Sequence, residues 1–141
     1  MDLPKLTLQK ADRNDMCFGC GKDNPVGLHL KFYEEGDTVK AEFVPNENHQ
    51  SWPGYVHGGV LSVILDEAIG KACFREKAYC VTAQLDICIK SMARIGEPLI
   101  ASGHITRRSK RLFETEAELR RKDGTIVAEA SSLQFVVNTI S

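Results

Sequence analysis

The sequence is poor in several features that would narrow its function. Aromatic residues make up only 7% of its 141 positions, with a single tryptophan. Charge of one sign is lacking: 18 basic residues stand against 19 acidic ones, a net charge of -1. A duplex-binding protein usually carries a basic excess, so nucleic acid is excluded as the main partner. No apolar run approaches the ~20 residues that a membrane-spanning helix needs, so no membrane partner is expected. The opening stretch MDLPKLTLQKADRND scatters single leucines among charges, without the continuous apolar core of a signal peptide. With an odd count of five cysteines, this points to reduced thiols and a cytoplasmic location. There is no GxSxG nucleophile elbow, no HExxH and no P-loop. Cys17 and Cys20 form the only C-x-x-C, in CFGCG, and the nearest histidine is His29. A zinc site takes about four ligands, so two thiols in a glycine-rich turn are the plain reading and no metal is expected.

What is present suffices for one core. Hydrophobic residues are 43% of the chain, and a chain of this length suits a single domain. Residues 1–16 show no period and read as an N-terminal arm; 17–141 read as one domain. Leu28, Leu30 and Phe32 alternate with His29, Lys31 and Tyr33, and Val39, Ala41 and Phe43 alternate with Lys40 and Glu42. With a turn at Glu34–Asp37, this predicts a β-hairpin with one buried face. Residues 45–57 read as a long loop, of the kind often functional in a small domain.

From Gly58 to about Arg75 the apolar residues cover most of a helix's circumference, which predicts a buried helix of roughly 27 Å. Four strands follow. The first sets Val81, Ala83, Leu85, Ile87 and Ile89 on one face and Thr82, Gln84, Asp86, Cys88 and Lys90 on the other. The second, 97–108, is less cleanly patterned. The third and fourth are joined by the Asp123-Gly124 turn. The order ββαββββ, with short connections between the last strands, predicts an α+β domain: a curved antiparallel sheet wrapped around one helix. Its edge strands favour pairing with a second copy.

The chemistry concentrates in HQSWPGYVHGGVLSVILDEAIGKA, residues 49–72. His57-Gly58-Gly59 stands where loop becomes helix. Glycines are poor helix formers, and two at a helix start suit close approach to backbone N–H groups that lack internal partners. Those groups attract an anion or oxyanion; a plain glycine cap is the other reading. His57 abuts the pair, as a working group or as a cap.

Asp66 and Glu67 lie deep in the apolar helix and differ in their neighbours. Glu67 has Lys71 and Arg75 at i+4 and i+8, and reads as part of a solvated ion-pair stripe. Asp66 shares a stripe with Ser62, Gly70 and Cys73 and has no cation within helical reach. A carboxylate there either meets a hydrogen-bonding partner, in the sheet or a second subunit, or does chemistry.

VHGGVLSVILDEAIGKA resembles the hotdog-fold acyl-CoA thioesterases of the phenylacetate-degradation (PaaI-like) family, in which an acid follows the histidine of HGG by nine residues, as Asp66 follows His57. HQSWPGYVHGG and CFGCGKDNPVGLHLKF also resemble segments of that group, and the resemblance spans about residues 17–137. It implies a hotdog fold, hydrolysis of acyl-CoA, no cofactor, and sites at the interfaces of a homodimer or homotetramer. Residue by residue, it implies that Asp66 is the catalytic carboxylate and that the Gly58 N–H polarises the thioester carbonyl. Gly59 adjoins it in the substrate-binding turn. His57 is implied to assist catalysis or position substrate, and Thr82 to contribute a hydroxyl. A loop residue that positions water in some relatives falls at Ser51 or the adjacent Gln50. Alternation sets Thr82 opposite Val81 and Ala83, which would leave it to a neighbouring subunit or without a role.

A non-catalytic module that binds acyl thioesters is the other function class that fits; an acid at position 66 weighs against it, since pure binding favours an apolar residue there. Trp52, Tyr55 and Phe74 are candidates for shaping an acyl pocket or for the core. Lys90, Arg94, Arg107, Arg108, Lys110 and Arg111 are candidates for meeting coenzyme A phosphates or for ordinary solvated surface.

Overall fold

The structure, a computed structural model, describes residues 15–139. The expected arm over 1–16 therefore lies outside the described residues except for Asp15 and Met16, which already belong to the turn around Cys17.

The strands are β1 (Tyr33–Glu35), β2 (Thr38–Phe43), β3 (Ala78–Ile89), β4 (Leu99–Arg108), β5 (Leu112–Arg121) and β6 (Ile126–Thr139), with one α-helix, α1 (Gly58–Arg75), between β2 and β3. They form one antiparallel sheet in the order β1-β2-β4-β5-β6-β3. The helix packs on β4, β3, β5 and β2, so the predicted hotdog arrangement is the one found. Leu61, Ile64, Leu65, Ala68 and Ile69 enter the main core with Leu99, Ala101, Leu119 and Val127. Ala72 and Cys73 continue into a second cluster with Val39, Ile105 and Phe113. Cys73, expected on the small polar stripe, is thus fully buried.

The helix is less enclosed than its composition suggests. Gly59, Gly70 and Phe74 are exposed, and Ser62, Val63 and Asp66 are half-buried. The sheet covers one side of the rod and leaves another open in the single chain.

Three local features depart from the pattern reading. The first hairpin is short: β1 begins only at Tyr33, and Glu34 and Glu35 pair with Val39 and Thr38, leaving Gly36 and Asp37 as the turn. Leu28 and Leu30 are buried as expected, but from an irregular segment in which His29 adopts φ 53. In β4, Gly103 passes under the helix, where a Cβ would lie 2.6 Å from the Ala68 carbonyl oxygen. A core-facing glycine of this kind erases the apolar alternation that marks a strand.

The third departure is in β3. Its register against β6 shifts between Thr82 and Gln84, so that Ala83 is the extra residue of a β-bulge. A bulge exchanges the faces of the residues on its two sides. Cys80 and Thr82 therefore stand on the helix side together with Leu85 and Ile87. The uniform alternation of Val81, Ala83, Leu85 and Ile87 does not hold through the strand.

Candidate active site

The loop before the helix is tightly built. Asn46 caps a 3-10 turn over Glu47–His49, and the His49 Nδ1 accepts from the Asn46 N–H at 3.0 Å. His49 is half-buried with its ring 5.2 Å from Phe43. Burial holds its pKa below the ordinary 6.5. The Gln50 side chain spans the loop: its Nε2 donates to the Glu47 carbonyl at 2.9 Å and its Oε1 accepts from the Gly54 N–H at 2.7 Å. Both ends of that amide are engaged within the loop. Ser51 is exposed, its backbone N–H bonded to the Tyr55 carbonyl and its hydroxyl without a partner among the described residues. Trp52 is 76% exposed and Tyr55 lies beneath Arg94, whose guanidinium is 5.9 Å from the ring centre.

The loop ends in the helix cap. His57 has φ -63 and ψ 134, and its Nδ1 accepts from the Gly59 N–H at 2.8 Å. An accepting Nδ1 leaves the proton of a neutral imidazole on Nε2, so His57 presents a donor outward. With Gly59 capped, the Gly58 N–H remains without an acceptor among the described residues. Of the two glycines, Gly58 is therefore the one with a free N–H at the positive end of the helix. A Cβ at Gly58 would lie 3.2 Å from the Ile89 Cδ1, so the position faces the end of β3.

Two turns along the helix, Asp66 Oδ1 accepts from the Thr82 hydroxyl at 2.9 Å. The same hydroxyl accepts from Gln134 Nε2 at 2.9 Å, and Gln134 Nε2 also donates to Ser132 Oγ at 2.6 Å. Thr115 Oγ1 closes the row by donating to the Ser132 carbonyl at 3.1 Å. Gln134, Ser132 and Thr115 are all buried. Because Gln134 supplies the proton that Thr82 accepts, the Thr82 proton is left for Asp66. Such a chain polarises each bond in turn and fixes the carboxylate. The second oxygen of Asp66 has no partner among the described residues and opens onto the uncovered side of α1.

The Thr82 hydroxyl thus bonds Asp66 of its own chain, correcting the expectation that alternation leaves it to a neighbouring subunit or without a role. The bulge at Ala83 is the reason. Gln134 and Ser132 carry no motif that marks them in the sequence. Their signal is slight: polar residues inside the apolar run of the last strand, one of them paired directly with Thr82.

Glu67 also departs from expectation. Arg75 pairs with Glu34 and Glu76 instead. Glu67 accepts from the Cys17 thiol at 3.3 Å and lies under the N-terminal turn, not in a solvated stripe. Burial and the Glu67 carboxylate push the Cys20 thiol up to about 12, against the pull of Lys71.

Of the candidate basic residues, Lys90, Arg107 and Arg108 are paired with Glu129, Glu114 and Glu76. Arg94, Lys110 and Arg111 have no acidic partner among the described residues. A hollow of about 890 Å³ lies on the sheet face turned away from the helix, lined by Lys40, Ser102, Glu118 and Ser131 among others. It contains none of the candidate catalytic groups. The groove beside Asp66 is an open surface in one chain.

Comparisons with known proteins agree with the fold. The family model for the thioesterase superfamily matches residues 53–128. Human acyl-coenzyme A thioesterase 13 is 26% identical over 103 residues, covering 71% of this chain and 74% of that protein. The crystal structure of a thioesterase superfamily protein superposes with a TM-score of 0.79 at 26% identity, covering 84% of this chain and 61% of the other. The Escherichia coli PaaI protein, from the phenylacetic acid degradation operon, superposes at 0.74 with 16% identity, covering 79% and 82%. The family model takes in more than half of the chain, from the loop before the helix to the start of β6, and with it Gly58, Asp66 and Thr82. The chain belongs to the thioesterase superfamily and is a thioester hydrolase of the hotdog fold.

Proposed function

We propose that the protein hydrolyses an acyl-coenzyme A thioester to the free acid and coenzyme A, without a metal or organic cofactor in the reaction. The observation that carries this reading is the Asp66 carboxylate, held through one oxygen by the Thr82–Gln134 row and open at the other, on a helix whose first N–H is unpaired. The free oxygen suits a general base that takes a proton from water, or a nucleophile that attacks the carbonyl carbon itself. In the base route, water oxygen bonds to the carbonyl carbon as its proton passes to Asp66. The carbonyl oxygen becomes an oxyanion on the Gly58 N–H, an arrangement that stabilises such charge strongly. The intermediate then collapses, the C–S bond breaks, and the thiolate takes the proton back from Asp66. A thiol pKa near ~8.5 makes it a good leaving group.

One distance supports a shared site. Gly58 and Asp66 are eight residues apart on α1, hence roughly 12 Å along its axis. One thioester carbonyl cannot touch both at hydrogen-bonding range. The Gly58 of one copy and the Asp66 of another meet across the open helix face when two helices lie antiparallel, giving two equivalent sites in a twofold dimer. His57 and Ser51 line the loop edge of such a site, with Gly59 in the same turn, while Gln50 holds the loop's shape. A homodimer, or a homotetramer built from two, is the working unit.

Other support comes from relatives. Structures similar in fold have been solved with coenzyme A, from Streptococcus pneumoniae, and with acetyl-CoA, from Streptococcus mutans. The pneumococcal protein has also been solved with an aspartate, and separately a threonine sixteen positions later, changed to alanine; Asp66 and Thr82 are 16 apart in this chain. Among the described residues no helix is long and apolar enough to cross a membrane, and a cytoplasmic enzyme fits the free thiols.

The test is a panel of short, medium, long and aromatic acyl-CoA thioesters, read by release of free thiol without added metal or nucleotide. Turnover of at least one class is expected. Saturable binding with no release across the panel would make the protein an acyl-thioester-binding module instead.

A further inference from the structure

The N-terminal turn brings together metal-binding groups that the thioester chemistry does not use. Cys17 Sγ, Cys20 Sγ and a carboxylate oxygen of Glu67 lie within 4.8 Å of one another. The two thiols belong to a closed knuckle, in which the Gly21 N–H donates to the Cys17 carbonyl at 2.8 Å and the Asp23 N–H to the Asp15 carbonyl at 2.9 Å. A Cβ at Gly21 would lie 2.4 Å from two backbone atoms, the Asp15 oxygen and the Cys17 nitrogen, so only glycine closes this turn. Gly19 has a separate purpose. A Cβ there would lie 2.1 Å from the Glu67 Cγ, and its absence lets the carboxylate reach both sulfurs.

We propose that Cys17, Cys20 and Glu67 are the protein ligands of a zinc site that clips the N-terminal knuckle onto the helix beside Asp66. With Zn–S bonds of ~2.3 Å, two sulfurs of a tetrahedral site stand roughly 3.7 Å apart. The groups here need to close by at most about an ångström. Two thiolates with one carboxylate favour zinc over magnesium or calcium, which prefer all-oxygen sets. Charge also balances. The three ligands carry three negative charges when deprotonated; a divalent ion leaves one, and the neighbouring Lys71 offsets it.

The clip has a mechanical role. The Leu28 N–H donates to the Phe18 carbonyl and the Leu30 N–H to the Gly19 carbonyl, both at 2.9 Å. The knuckle thereby carries the segment that lays Leu28 and Leu30 on the core. Metal binding at Glu67 fixes that segment against α1, one residue from Asp66 and on a different face.

The experiment uses the whole chain, reduced, stripped with chelator and reloaded with zinc or cobalt(II). One equivalent of zinc per chain is expected, and cobalt should give thiolate-to-metal charge-transfer absorption. Cys17→Ser and Cys20→Ser should each weaken or abolish that absorption, and Glu67→Gln should lower affinity at least about tenfold. Cys88→Ser, an exposed thiol on β3, should change nothing. Chelation should lower the melting temperature of the wild type by about 5 °C and leave the double cysteine variant unmoved. Should the cysteine variants fail to fold, alkylation of wild type decides: zinc must protect Cys17 and Cys20 while Cys88 still reacts. Substoichiometric metal without a thiolate band in the reduced protein, uptake that survives loss of both cysteines, or a Cys17–Cys20 disulfide that takes up no metal after reduction would each overturn the proposal.

Discussion

Asp66 and Glu67 are consecutive acids on one helix, yet they belong to different regions. Asp66 faces the open side, touches one hydroxyl and keeps an oxygen free. Glu67 faces the N-terminal knuckle and is covered by Cys17, Gly19 and Cys20. A step of about 100° around the helix separates a carboxylate with one unpaired oxygen from one enclosed in a structural contact. Residue type does not distinguish them; what each side chain meets does.

Substitutions should separate the two regions cleanly. The largest effect is expected at Asp66. Asp66→Asn keeps the shape and the Thr82 contact but loses the base, and should lower kcat by about 10²–10⁴ with the circular dichroism spectrum unchanged. Equal losses in Asp66→Asn and Glu67→Gln, each corrected for folded protein, would erase the contrast.

Next comes Gly58→Pro, which deletes the proposed oxyanion donor itself. Position 58 is the first residue of the helix, where proline is favoured, and His57 already has the extended backbone required before proline. A fall in kcat/KM of about 10²–10³ with little change in melting temperature is expected. Near-wild-type turnover would move the donor away from Gly58.

Thr82→Val comes third. It removes a hydrogen bond to a charged group and leaves Gln134 one acceptor short, which should reduce kcat by about 10–100-fold. Gln134→Leu should follow it in the same direction to a smaller extent, because Gln134 reaches Asp66 only through Thr82. Glu67→Gln, by contrast, should cost about 1 kcal/mol of stability in denaturant titration and leave turnover per folded molecule unchanged.

The smallest effect is expected from pH. Burial lowers the pKa of His49 in the folded chain, where its Nδ1 accepts from the Asn46 N–H. The unfolded chain takes up a proton that the folded one resists. This contribution is therefore complete above pH ~6.5 and is lost as pH falls below it. A melting temperature that drops between about pH 7 and pH 5.5, with part of the drop removed in His49→Gln, is the expected signature.

Much of this was legible in the sequence because the controlling signals are local. The helix follows from its apolar circumference, and its start from His57-Gly58-Gly59. The weight on Asp66 over Glu67 follows from the small residues one turn to either side of it, Ser62 and Gly70. The rest depended on events that a period cannot carry. One extra residue at Ala83 reversed the faces of β3 and concealed the Thr82–Asp66 contact. Gly103 broke the pattern of β4 for the sake of helix approach. Glu67 looked solvated because i+4 and i+8 cations stood beside it, whereas its partners are about fifty positions away at the knuckle. Gln134 was hidden because a buried amide reads as an interruption until its partner strand is known.

The central claim is that the active site is shared between two copies, since Gly58 and Asp66 of one helix stand too far apart to act on one carbonyl. Mixing subunits tests it directly. Gly58→Pro and Asp66→Asn chains, each nearly inactive alone, are unfolded together and refolded, or co-expressed with different tags. In a shared site, the mixed dimer joins an intact Gly58 from one chain to an intact Asp66 from the other, so random pairing should restore about a quarter of wild-type activity. Recovery no greater than the sum of the two separate variants, with mixed dimers demonstrably formed, would contradict the shared site and with it the catalytic roles of Gly58 and Asp66.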